Sequence, residues 1–67
     1  MKIILNNILT TLPSELMTVA EFVEWKGIKP AGTAIAVNDR IVRKELWVST
    51  SFQELDRVTV ISAAFGG

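Results

Sequence analysis

Apolar positions fall into short blocks along this chain, and the residues between the blocks are turn and cap formers. Ile3-Ile4-Leu5 and Ile8-Leu9-Thr10-Thr11-Leu12 are aliphatic or β-branched runs parted by Asn6-Asn7, a pair that tolerates the positive φ angles of a tight hairpin. The pattern predicts an opening β-hairpin closed by Pro13, which cannot donate a ladder hydrogen bond. Ser14 to Met17 then lead across to Thr18-Val19-Ala20-Glu21, whose spacing is that of a capping box. Met17 and Phe22 stand at hydrophobic-staple positions, and Val19, Phe22 and Val23 share one apolar face. Glu21 and Glu24 take the solvent side, Lys26 complements the helix dipole and Gly27 is the stop. A helix of about two to three turns is predicted. After Pro30-Ala31-Gly32, Thr33 to Val37 reads as a strand ending at Asn38-Asp39-Arg40, and Ile41-Val42 resumes extended structure. Arg43-Lys44-Glu45 is polar, and Leu46, Trp47 and Phe52 are large apolar groups in an irregular stretch, predicted to be a loop sealing one end of the core. Arg57 to Ser62 is apolar on both parities, as a central strand is. The ββαβββ order, free of repeats, predicts an α+β roll with one main helix on one face of a mixed sheet.

Composition narrows the function classes. Sixty-seven residues form a single domain, 1–67, with 63–67 expected to be a flexible tail. Seven Lys plus Arg balance seven Asp plus Glu, so no basic excess favours nucleic acid. Without Cys, His or Tyr the chain has no disulfide, no thiolate or imidazole metal site and no Ser-His or Cys-His pair. Hydrophobic residues reach 49% and mean hydropathy +0.37, yet no apolar run approaches the roughly 18 residues of a membrane span. Asn6-Asn7 interrupts the apolar start and no small-residue cleavage site follows, so a secretion signal is not predicted and a soluble, cytoplasmic chain is.

Few side chains carry candidate chemistry. Trp47 is expected in the core beside Leu46 and Phe52, while Trp25 falls off the apolar helix face and is either a partial lid or an exposed contact. Arg40, Arg43 and Lys44 read as a solvated face, and Glu15, Glu21, Glu24 and Glu45 form no paired-carboxylate site. No Gly-rich phosphate loop occurs. Gly66-Gly67 stand apart. Two consecutive terminal glycines arise by chance in about 0.5% of chains. A frayed end or a cloning remnant would account for them, and so would a tail without Cβ atoms that threads a narrow channel and offers its carboxylate to another protein.

Set on this element order, the diglycine resembles the sulfur-carrier branch of the ubiquitin-like β-grasp proteins, most closely the ThiS-like carriers of thiamine biosynthesis. The likeness spans the chain through Thr18-Val19, Ala34-Ile35-Ala36-Val37-Asn38, Ile41-Val42 with Trp47, Asp56 before the last strand, and Gly66-Gly67. The resemblance implies a β-grasp fold with the first and last strands parallel at the centre of the sheet. It implies that a ThiF-like adenylyltransferase, using ATP, activates the Gly67 carboxylate, that a sulfur donor protein converts it to a thiocarboxylate, and that thiazole synthase consumes the sulfur. The chain itself would then be no enzyme and would bind no cofactor or metal. On the last strand Val58 and Val60 are expected to face the helix, while Thr59, Ile61 and Ala63 point to the open face and lead through Phe65 to the tail, forming the partner surface.

Three positions depart from the family pattern. Leu55 replaces a frequent Gly, predicting a different turn backbone; Arg43 replaces a frequent Pro, predicting a less rigid segment; and Phe65 replaces a small residue ahead of the glycines, altering which channel accepts the tail. Other readings are the small subunit of molybdopterin synthase, usually longer than this chain, a ubiquitin-like binding module that is never activated, and a small enzyme limited to Ser, Thr, Lys and carboxylates.

Overall fold

The computed structural model describes residues 1–62, arranged as β1 (Lys2–Leu5), β2 (Ile8–Thr11), α1 (Val19–Trp25), β3 (Thr33–Val37), β4 (Arg40–Val42), a 3₁₀ helix (Lys44–Ser49) and β5 (Arg57–Ser62). The strands form one mixed sheet in the order β2-β1-β5-β3-β4. As expected, the first and last strands run parallel in its interior, with Ile4 opposite Arg57 and Leu5 opposite Val58. Beyond β1 the pairing continues through Asn6, whose amide donates to the Val58 carbonyl at 2.9 Å and whose Oδ1 accepts from the Val60 amide at 3.0 Å.

Both hairpins turn on two residues in the left-handed region, Asn6 and Asn7 at φ 47° and 69°, and Asn38 and Asp39 at 52° and 70°. Such pairs of positive φ match the twist of the flanking strands, and Asn and Asp bear them at little steric cost. The second turn is therefore Asn38-Asp39, and Arg40 already belongs to β4.

Helix α1 begins as its sequence dictates. Thr18 Oγ1 accepts from the Glu21 amide at 3.1 Å, and Glu21 Oε1 accepts from the Thr18 amide at 2.9 Å. Met17 and Phe22 are both buried, which completes the staple. At the other end Gly27, at φ 68°, donates to the Glu24 carbonyl and Ile28 to the Val23 carbonyl, each at 3.0 Å. This is a Schellman closure, with Ile28 and Val23 packed in the same core, and it holds the helix to about two turns. Lys26 lies just past the last turn, its Nζ 5.5 Å from the Trp25 ring centroid rather than over the helix end.

The core lies between α1 and one face of the sheet: Ile3, Leu12, Val19, Phe22, Val23, Ile35, Phe52 and Val58 are buried. Phe22 and Phe52 meet edge to face at 5.4 Å. The stretch expected as an irregular loop contains the 3₁₀ helix instead, its first turn tied by Leu46 N–H to the Arg43 carbonyl at 2.8 Å. Trp47 enters the core with its indole N–H on the Val42 carbonyl at 2.8 Å, satisfying the ring's one polar group. Leu46 stays exposed, so Trp47 and Phe52 alone of that trio close the core.

Two of the positions that depart from the family pattern have telling backbone angles. Leu55 sits at φ 64°, a conformation that a glycine takes freely and a leucine only under strain. Arg43 sits at φ −63°, the value a proline ring imposes, with an extended ψ of 143°.

Candidate functional site

Among the described residues nothing covers the sheet face opposite α1, and β5 runs through its middle. Strand alternation turns Val58 into the core and leaves Val60 half-buried beside it, while Thr59 and Ile61 stand on the other side, Ile61 47% exposed. The parity expected for β5 is the parity observed. Ala63, Phe65, Gly66 and Gly67 lie outside the described residues.

Neighbouring strands shape the surroundings of Thr59 and Ile61. Ala36 lies opposite Thr59 and Ala34 opposite Ile61, so small side chains keep this part of the face low. Ile41 flanks Ala36 on β4 and is 60% exposed; on the other side Leu9 pairs with Ile4 and is 59% exposed. The result is a shallow apolar face, with aliphatic side chains at both margins and Ile61 toward the end from which the chain runs to Gly66-Gly67. Leu9 and Ile41 were not singled out in the sequence. Their signal was the period-two alternation of β2 and β4, which assigns a face only once strand register is known.

The beginning of β5 is held firmly. The Asn38 side chain donates to Asp56 Oδ1 at 3.0 Å and accepts from the Arg57 amide at 2.9 Å. Asp56 Oδ2 accepts from the Gln53 amide at 2.7 Å, and Arg57 reaches Asp39 at 2.8 Å. Asn38 and Asp56, both noted in the sequence pattern, therefore act as a clamp between the β3-β4 turn and β5. Trp25 is exposed, yet its ring lies 6.2 Å from that of Phe22, so it caps the core edge and faces solvent at once. Arg43 pairs with Glu45 at 3.1 Å, both well exposed, as a solvated face would have it.

Among the described residues no concave pocket opens, no three acidic side chains converge as metal ligands, and no helix is long and apolar enough to cross a membrane.

Comparison with known proteins agrees with this geometry. A solved structure of thiamine biosynthesis protein ThiS from Geobacter metallireducens superposes with a TM-score of 0.86 over 100% of both chains at 17% identity, which establishes the β-grasp fold. No curated protein matches the chain. The sequence model of the ThiS family matches residues 3–67, from β1 through the diglycine, and the chain belongs to the ThiS family.

Proposed function

We propose that this small carrier of the ThiS family bears sulfur on its final glycine for the thiazole ring of thiamine. The reading rests on the family match running through Gly66 and Gly67. A carboxylate is a poor electrophile until a leaving group is attached, so a ThiF-like partner would join the Gly67 carboxylate to AMP from ATP, releasing pyrophosphate. Sulfide handed over by a donor protein would then attack the acyl carbon, form the C–S bond as the C–O bond to AMP breaks, and leave a thiocarboxylate. The chain's own part is to be recognised and to present the tail. Thr59 and Ile61 on the open face, with Ala63 and Phe65 beyond them, would dock on the adenylyltransferase and afterwards on thiazole synthase. A sheet face with exposed aliphatic groups suits successive binding to different proteins. The chain need supply no catalyst, in keeping with a composition that has no Cys, His or Tyr.

Co-expression with a competent adenylyltransferase and a sulfur donor, followed by intact-mass analysis, tests the reading. Part of the protein should gain the mass difference between sulfur and oxygen, located by fragmentation at Gly67. Added mass on a side chain, or none at all with a competent partner, overturns it. Transfer of that sulfur to the product of thiazole synthase, rather than to molybdopterin, checks the pathway.

A further inference from the structure

Among the described residues the outer rim of β2 is an unpaired sheet edge. Leu5 and Ile8 flank the two-residue turn, and the Leu12 amide donates inward to the Met1 carbonyl at 2.8 Å. Alternation along an antiparallel pair therefore directs Ile8, Thr10 and Leu12 toward β1 and turns the amides and carbonyls of Leu9 and Thr11 outward. Sheets normally protect such an edge with Lys, Pro or a bulge. Ile8-Leu9-Thr10-Thr11 contains none of these and exposes Ile8 (67%) and Leu9 on its two sides. The opposite edge differs, since β4 and the residues after it carry Arg40, Arg43 and Lys44, which would repel the same edge of a second copy.

We propose that two copies of this chain associate through their β2 strands, Leu9 of each opposite Thr11 of the other. The register is self-complementary. A two-fold axis through Thr10 exchanges Leu9 and Thr11, so each outward amide meets an outward carbonyl and four backbone hydrogen bonds form. Both copies bring an uncharged strand, and net charge is zero, so nothing electrostatic opposes the approach. The two five-stranded sheets become one of ten strands with a continuous open face. Five strand spacings separate the two β5 strands, about 24 Å. They run in opposite directions, so the two β5 strands finish at opposite ends of the joined sheet. A four-residue strand makes a small interface, hence a weak dimer that forms toward millimolar concentration.

Sedimentation equilibrium of the full chain over a concentration series should show the average mass climbing from 7.4 kDa toward twice that value. Leu9→Lys should remain at the monomer mass, and Ile41→Lys, on the same open face but at the far edge, should dimerise as the parent does. In the parent, hydrogen exchange at the Leu9 and Thr11 amides should slow on the order of tenfold with concentration, while Thr10, bonded to β1, should not change. A mass fixed at 7.4 kDa at the highest concentration overturns the proposal. So does loss of the dimer in Ile41→Lys, which would mean stacking of open faces, and so does exchange at Leu9 and Thr11 that ignores concentration.

Discussion

Leu55 is a γ-branched residue held at φ 64°, where a Cβ crowds the backbone by about 1 to 2 kcal/mol. Its surroundings impose this. The Leu55 amide donates to the Lys2 carbonyl at 2.7 Å and the Asp56 amide to the Gln53 carbonyl at 3.1 Å, so the turn is fixed from both sides while the side chain is 54% exposed. Leu55→Gly removes the crowding and frees the unfolded chain, costing roughly 0.5 to 1 kcal/mol in entropy. A net gain of about 0.5 kcal/mol is expected, seen as a higher urea midpoint; a lower midpoint would show that the leucine contributes packing its exposure conceals. Phe22 is the opposite case. Fully buried against Phe52 and the staple residue Met17, it leaves a cavity on Phe22→Ala that costs about 3 to 5 kcal/mol, a large share of the stability of a domain this size. An unchanged urea midpoint would place Phe22 outside the core. Phe22 was legible from the staple spacing, which local residues determine. The backbone at Leu55 was not, because leucine gives no local sign of a left-handed turn and the bond that enforces it comes from β1.

Among the elements, α1 was the most legible because both of its ends are written in consecutive residues. Thr18→Ala breaks the reciprocal cap and should destabilise by about 1 kcal/mol, while Thr18→Ser should restore most of it; equal midpoints for the two variants would dismiss the cap. The 3₁₀ helix was not legible. It buries Trp47 and exposes Leu46 and Val48, so its apolar residues follow no helical period, and its place depends on the Trp47 bond to β4. Arg43 shows how that junction is prepared. Its φ is already that of proline, Val42 before it is extended, and the hairpin register turns the Arg43 amide away from β3. Arg43→Pro should therefore stabilise by about 0.4 to 1 kcal/mol through the unfolded chain, apart from the small loss of an exposed ion pair with Glu45. Thermal or urea unfolding checks it, and destabilisation beyond 1 kcal/mol or so would mean that the Arg43 amide is bonded after all.

At the scale of the whole molecule, the helix defines one face of the sheet as interior and, among the described residues, leaves the other uncovered. Ile61→Asp should keep the fold, since Ile61 is nearly half exposed, while slowing ATP-pyrophosphate exchange by the adenylyltransferase at limiting carrier. Wild-type exchange would move the interface elsewhere, and an unfolded variant would contradict the parity of β5. That parity could be read within one strand, from Val58 and Val60 against Thr59 and Ile61. The margins of the face, Leu9 and Ile41, could not, because they are joined to it only through register across the sheet. The parallel pairing of β1 with β5 has a further consequence for how the protein is made. In a nascent chain Ile4 and its neighbours can pair with β2 but lack a partner on their other side until Arg57 and Val58 have left the ribosome, so the centre of the sheet forms only once β5 has been made. The first β-strand waits for the last, and any chain released early lacks the strand that joins the two hairpins into one sheet, leaving quality control a fragment with both inner edges open.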